Sequence, residues 1–324
     1  MRLALGHVAA RAIHALAHFR IADHLAAGLH TPSDLARATG THEPSLLRLL
    51  RAATVLRLVV EHEQQHFSLT PYGEALRSDA PRHAASAALA MGEVGMWRAL
   101  GEFAHSVETG EPLLARFGGT QPFADAMAAG SARTAEAMIA FYGDEPGAVA
   151  EAYDFANVAV LADLGGSSGN LLTTILARNP KLRGILYDLP HTATAARAKI
   201  EQRGVADRCE VIGGNFFESV PTGAEVYVLS HVLHDWPEEK CDGILRNVGS
   251  VIPKGGRLLV VEPLLTTGSE ADAAKFLDII ALAITGGRHR TLDDHRALLA
   301  RNGFRLTRVI ETSAAVSILE SEPA

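Results

Sequence analysis

The spacing of apolar positions changes near the middle of the chain. Up to about residue 148, Ala and Leu recur at helical spacing and strand-like runs are few. "TPSDLARATG" predicts a short helix, with Ser33 as its N-cap and Gly40 at its end. "EPSLLRLLRAATVLRLVV" predicts a second helix, with Pro44 near its start. "LVVEHEQQHFSLTPYGEALR" alternates polar and apolar residues, which predicts a short hairpin leading into another helix. Two further helices are expected in "MGEVGMWRALGEFAHSVETG" and "QPFADAMAAGSARTAEAMIAFYG". The stripe of Phe123, Met127 and Met138 on the second reads first as core.

From about residue 155, short apolar runs alternate with helical segments. "VAVLADLGG", "RGILYDLP", "CEVIGGNFF", "EVYVLSHVLH" and "GGRLLVVEPLL" predict strands, and the segments between the first three, and after "EVYVLSHVLH", predict helices. Such alternation with Gly-rich turns predicts an α/β domain built on a parallel sheet with helices on both faces. The first four runs are nearly all apolar, as strands covered on both sides require. The chain divides into residues 1–148 and 149–324, with the boundary in "GDEPGAV".

Helix, helix, hairpin is a winged-helix pattern, which serves DNA binding or, as a scaffold, dimerisation. Charge separates the two. Residues 31–80 hold five Arg, no Lys and six Asp or Glu, and the whole chain carries 37 acidic against 30 basic residues. Phosphate binding draws its affinity from cationic side chains that displace counterions, so no nucleic-acid partner is expected. With 324 residues, 48% apolar and 21% charged, the chain can bury a full core. Two cysteines, Cys209 and Cys241, exclude a disulfide framework. Charged residues break the apolar N-terminus and no run approaches 18 apolar residues. A cytoplasmic protein with no membrane association is expected.

Chemistry-bearing residues fall at the ends of the predicted strands. "DLGGSSGN" puts Gly165, Gly166 and Gly169 in a turn that opens a helix, letting the backbone approach a ligand closely. Asp188 in "LYDLP" follows Gly169 by 19 residues and is placed to accept from both hydroxyls of a ribose. Asn215 and Phe216 in "GGNFFESVP" fit the edge and face of an adenine, or an ordinary loop Asn beside a core Phe. "SHVLHDWPEEK" carries His234 to the ligand edge of the sheet, where Pro237 and the following acids start a helix. No Cys or second His stands at metal-ligand spacing, so no metal is expected. Asp235 reads as a helix cap. Glu262, after "GRLLVV", reaches the same edge and can raise the basicity of an imidazole.

With these residues in view, the chain resembles the plant-type and actinobacterial small-molecule O-methyltransferases that use S-adenosylmethionine. The resemblance runs along nearly the whole chain. "DLGGSSG", "YDLP", "GGNFFESVP", "VLHDWPEE", "VVEPLL" and "GGRHRT" occur in the family's order, with "FADAMAA" and "LARNGF" also matching. It implies a winged-helix-like dimerisation domain, a Rossmann-like methyltransferase domain and a homodimer. It assigns the cofactor, released as S-adenosylhomocysteine, to Gly165, Gly166, Gly169, Asp188, Leu189, Asn215, Phe216, Ser230 and Trp236. His234 would be the general base for in-line methylation of a small aromatic hydroxyl, oriented by Glu262. Phe123, Met127, Ile279 and Ile280, with Met91, Trp97 and His231 nearby, would line the acceptor pocket.

Three residues depart from that pattern. Asn215 stands where Asp is common, and Ser230 where plant members have a basic residue. His289, in "GGRHRT", stands where a second Glu usually contacts the catalytic imidazole. Either Glu262 suffices, or His289 binds the acceptor, or the chemistry has moved to N-methylation or away from methyl transfer.

Overall fold

A computed structural model describes residues 3–81, 83–113, 144–269, 272 and 274–324. Phe123 and Met127 lie outside the described residues. Those described form two compact units, one of residues 3–98 and one of residues 99–113 and 144–324.

The first unit is helical apart from one hairpin. It contains α1 (Gly6–His18), α2 (Ile21–Ala26), α3 (Pro32–Thr39), α4 (Glu43–Val55), β1 (Val59–His62), β2 (His66–Leu69), α5 (Pro71–Glu74) and α6 (Ala84–Met91). The next helix, α7 (Val94–Gly101), runs across the division at residue 98. The cap of α3 is Thr31, not Ser33: its side chain accepts from the Asp34 backbone N–H at 3.2 Å. Pro32 has no N–H to be capped and a fixed φ suited to the first helical position, so the cap falls directly before it. Gly40 ends α3 at φ 68°, a left-handed position that glycine adopts without strain. The apolar faces of α1 to α4 meet over Leu35, Leu50 and Phe67, all fully buried. Phe67 also ties the hairpin to the chain after α2, its N–H donating to the His30 carbonyl at 2.8 Å.

The second unit begins with α8 (Phe103–Thr109) and α9 (Glu145–Ala152). Then come β3 (Val160–Leu164), α10 (Asn170–Arg178), β4 (Arg183–Asp188), α11 (Pro190–Gln202), β5 (Cys209–Gly213) and β6 (Val226–Ser230). It continues with α12 (Glu238–Val251), β7 (Arg257–Glu262), α13 (Ala274–Ile284), α14 (Leu292–Arg301), β8 (Phe304–Glu311) and β9 (Ser317–Pro323). The seven strands lie in the order β5-β4-β3-β6-β7-β9-β8. The first five in that order are parallel, whereas β9 runs antiparallel to both β7 and β8.

Strand order reverses between β3 and β6, so a crevice opens at their carboxyl ends, where such sheets bind ligands. Register keeps those ends level: Leu164 pairs with Tyr187, Asp188 with Gly213, and Ser230 with Val261. On one face, Tyr227, Leu229, Leu258 and Val260 pack with Ile244, Leu245 and Val248 of α12 and Leu298 and Leu299 of α14. "EVYVLSHVLH" is a shorter strand than its apolar run predicts. The backbone turns left-handed at His231, φ 53°, and Leu233–Asp235 forms a single 3-10 turn. Among the described residues no helix is long and apolar enough to cross a membrane.

Phe67→Ala should cost about 3–5 kcal/mol, since it removes a fully buried ring that joins hairpin and helices. Denaturant unfolding checks this: the first transition should move to lower denaturant, and an unchanged profile would show that Phe67 does not hold the N-terminal unit together.

Candidate functional site

The glycine turn forms the floor of the crevice. Gly165 and Gly169 both sit at φ 74°. A side chain on Gly166 would meet the Asp163 carboxylate at 2.6 Å and Leu186 at 2.4 Å, so only glycine fits there. Asp163 is 1% exposed, and neither of its oxygens has a hydrogen-bond partner among the described residues. Burial, aided by the Asp188 and Glu145 charges, pushes its carboxyl up to about 7, against a pull from the Leu172 backbone.

Asp188 buttresses the same turn. One of its oxygens accepts from the Ser167 N–H at 2.8 Å and the other from the Leu189 N–H at 2.7 Å. Burial raises its pKa, and these backbone donors oppose the rise. On the neighbouring strand end, Asn215 is committed to its own turn: its amide donates to Glu218 at 3.1 Å and its oxygen accepts from Phe217 N–H at 3.1 Å. Phe216 lies against Gly165 and packs edge-on to Phe217 at 4.8 Å and to Trp236 at 6.3 Å. Gly165, Phe216 and Trp236 therefore stand together, while the Asn215 side chain is turned to local use.

These residues suit an adenosine-bearing cation. The glycines leave room for backbone approach, and the turn holds a buried carboxylate whose hydrogen bonds are unmet. Asp188 sits at the strand end that suits a ribose, and aromatic rings stand beside the floor.

The second part of the site centres on His234, 6% exposed, and Glu262, fully buried. Glu262 Oε1 accepts from the His234 backbone N–H at 3.0 Å and lies 3.6 Å from its ring Nδ1. His289 stacks on His234 with ring centroids 4.6 Å apart and planes 16° from parallel. The His231 ring stands edge-on to His234 at 5.3 Å. His295 Nε2 lies 3.5 Å from the other Glu262 oxygen. Four imidazoles thus gather around one buried carboxylate.

Electrostatics set these groups apart. Burial, reinforced by His231, His289, Arg290 and His295, lowers the His234 pKa well below 6.5. Burial, with His231 and Arg290, brings His289 down to about 4, and burial with Arg290 brings His295 to about 3 against the pull of Asp294 and Glu238. Burial pushes Glu262 up to about 7, with Arg290, His231 and the His234 backbone pulling the other way. Burial opposes charge on His231, yet Glu145, Glu262 and Asp235 outweigh it and its pKa rises.

Asp235 is not the helix cap. Pro237 occupies that position and no side chain caps α12. Because Asp235 belongs to the 3-10 turn, its carboxylate instead lies 3.6 Å from His234 Nε2. Three supports of this turn were not legible in advance. Arg290, fully buried, donates to the carbonyls of Leu233 at 2.8 Å and Trp236 at 3.4 Å. A side chain on Gly287 would stand 2.0 Å from the His234 carbonyl oxygen. Glu145, at the start of α9, accepts from the Ser230 hydroxyl at 2.9 Å and pairs with His231 Nε2 at 2.5 Å. An acid beside Pro146 was the sole signal for Glu145, and it reads equally well as an ordinary first-turn acid.

Ile279 and Ile280 follow Asp278 on α13, and the Asp278 carboxylate accepts from the His289 N–H at 2.7 Å. Ile279 is 38% exposed. Met91 and Trp97 lie in the first unit, where they line a cavity of about 160 Å³ with Ala10, Ile13, Ala88 and Gly92. The Arg11 guanidinium covers the Trp97 ring at 4.8 Å. Among the described residues no group of three or more His, Cys, Asp or Glu side chains is arranged to hold a metal ion.

Comparison with known proteins agrees with this geometry. Residues 135–305 match an O-methyltransferase domain and residues 1–79 an O-methyltransferase dimerisation domain. The phenazine O-methyltransferase PhzM of Lysobacter antibioticus is 36% identical, over 100% of this chain and 95% of its own. Among solved structures, the mitomycin 7-O-methyltransferase MmcR superposes with a TM-score of 0.90 at 33% identity, over 100% of this chain and 96% of its own. The O-methyltransferase NcsB1 from neocarzinostatin biosynthesis, solved with S-adenosylmethionine and 2-hydroxy-5-methyl naphthoic acid, has a TM-score of 0.84 at 31% identity, over 98% of this chain and 96% of its own. This chain belongs to the S-adenosylmethionine-dependent O-methyltransferases, with a helical dimerisation domain followed by a Rossmann-like α/β domain.

Proposed function

We propose that the protein methylates a hydroxyl of a small aromatic metabolite, with His234 taking the hydroxyl proton. The observation that carries this reading is the meeting of His234 and Glu262 at the sheet edge that also holds the glycine turn and Asp188. Its three named relatives methylate, or are solved with, aromatic natural-product compounds, which supports an acceptor of the same kind.

In this reading Asp188 holds the ribose and Leu189 lies beside it. Gly165, Gly166 and Gly169 admit the methionine portion next to the buried Asp163 carboxylate. Phe216 and Trp236 flank the adenine, and Asn215 and Ser230 border the same chamber. S-adenosylmethionine, when bound, would supply a methyl group already activated on sulfonium sulfur for transfer to the acceptor oxygen, leaving S-adenosylhomocysteine. The protein therefore has to provide alignment and proton removal. His234 Nδ1 is buried on the Glu262 side, so Nε2 is the nitrogen that takes the proton. Glu262 holds His234 through its backbone N–H and keeps a carboxylate oxygen 3.6 Å from the ring Nδ1. Ile279, Ile280 and His231 border the acceptor, with Phe123, Met127, Met91 and Trp97 assigned there by resemblance.

The protein acts as a homodimer in this reading. Residues 1–79 match a dimerisation domain, and Leu3, Leu5, Val8, Val55 and Val60 expose apolar surface in the same unit.

His234→Gln should cut methyl transfer to a phenolic panel by about 100-fold or more and leave S-adenosylhomocysteine binding intact by calorimetry. Undiminished transfer would remove His234 from the mechanism. Asp188→Asn should weaken S-adenosylhomocysteine by about 10-fold, the worth of one charge-assisted hydrogen bond; an unchanged dissociation constant would withdraw the ribose assignment. Light scattering of the purified protein should give twice the chain mass, and a monomer at micromolar concentration would contradict the dimer.

A further inference from the structure

The surroundings of His234 bear on which hydroxyls it can deprotonate. Its stacking partner is another imidazole, His289, at 4.6 Å. Edge-on to it stands His231, and Arg290 and His295 add to the side that disfavours a positive charge. Two carboxylates face it, and neither makes a hydrogen bond to the ring. Glu262 Oε1 and Asp235 Oδ1 each lie 3.6 Å from a ring nitrogen, beyond normal hydrogen-bond length. Glu262 Oε1 already receives the His234 backbone N–H. Glu145 neutralises His231, not His234.

A proton on His234 Nε2 would therefore sit in a dry pocket beside a stacked imidazole, with weak anionic support. Such an imidazole is available as a base at neutral pH but has little affinity for the proton. An ordinary phenol, with a pKa of about 10, holds its proton more than about 1,000-fold more tightly than an unperturbed imidazole does. Burial, with the Arg290 charge nearby, widens that gap. Proton transfer comes into balance only when the acceptor hydroxyl is itself acidic.

We propose that the enzyme selects acceptors with an acidic hydroxyl, namely electron-poor phenols and vinylogous acids, and that the stacked His289 sets this selection. The inference rests on the reading of His234 as proton acceptor. In the step, the acceptor O–H bond breaks, its electron pair stays on oxygen, and the proton passes to His234 Nε2. His289 acts here as a specificity-determining residue: a carboxylate in its place would stabilise the imidazolium and admit weaker acids.

The test compares two acceptors of similar outline, 1-naphthol and the vinylogous acid 2-hydroxy-1,4-naphthoquinone, on the full-length protein with S-adenosylmethionine. The wild type should favour the acidic acceptor in kcat/KM by about 100-fold or more. His289→Glu should shrink that ratio by at least about 10-fold, chiefly by raising transfer to 1-naphthol. Equal or better wild-type turnover of 1-naphthol overturns the proposal, as does an unchanged ratio in the variant. Calorimetry on the S-adenosylhomocysteine complex gives a reading without turnover. There the wild type should bind the hydroxynaphthoquinone more tightly, and tighter binding of 1-naphthol, or of neither, counts against the proposal. Transfer to 1-naphthol as efficient as to the acidic acceptor, and still requiring His234, would remove this inference and leave the general base standing. An acidity preference that His234→Gln leaves unchanged would remove the general base and this inference together.

Discussion

The buried guanidinium of Arg290 is the constraint on which the reacting part of this protein depends. A cation without solvent must find charge and acceptors nearby or destabilise the fold. Arg290 finds them in the Glu238 carboxylate, at 3.0 and 2.9 Å, and in the carbonyls of Leu233 and Trp236. Those two carbonyls bracket His234. Moving the turn would strip a fully buried charge of its partners, so the imidazole is fixed by an interaction outside its own ring. Cys241 adds a weaker tie to the same two carbonyls at 3.2 and 3.4 Å. Glu238 is itself held by Arg301, which links the turn to the end of α14.

Around that anchor the fold separates two electrostatic environments along one sheet edge. At β3 and β4, Asp163 and Asp188 place two buried carboxyl groups beneath a glycine turn, both with pKa values raised by burial. At β6 and β7, imidazoles outnumber carboxylates, and burial keeps His234, His289 and His295 neutral near pH 7. Both environments come from strand ends that the parallel register holds level. The chemistry thus follows from topology first and from residue choice second.

The sequence carried much of this and left the rest unreadable for identifiable reasons. Glycines 165, 166 and 169, Asp188, His234 and Glu262 announce themselves because each ends an apolar strand. The left-handed turn at His231 did not, since nothing in "SHVLH" marks a non-glycine residue for positive φ. The C-terminal pair β8 and β9 was missed as well. Its first strand, "FRLTRVIE", mixes exposed and buried positions at the sheet edge and lacks the continuous apolar run of β3 or β7. Arg290 looked like one more basic residue, because only the fold reveals that it is buried. Glu145 lies 85 residues from Ser230 and 86 from His231, so no local pattern joins them. Asn215 reads equally as an adenine contact or as an ordinary loop residue, and its amide and oxygen are engaged within its own turn.

The close approach at Gly287 has a consequence for how such an enzyme can change. A backbone pressed against the His234 carbonyl leaves no space for any larger residue, so this side of the site has almost no mutational freedom. Phe276 and Ile279 on α13 are 74% and 38% exposed, and exchanging them leaves that contact untouched. Residues on the exposed side of α13 can therefore vary while the turn at His234 stays as it is. The architecture divides itself into a part that must be inherited whole and a part open to variation.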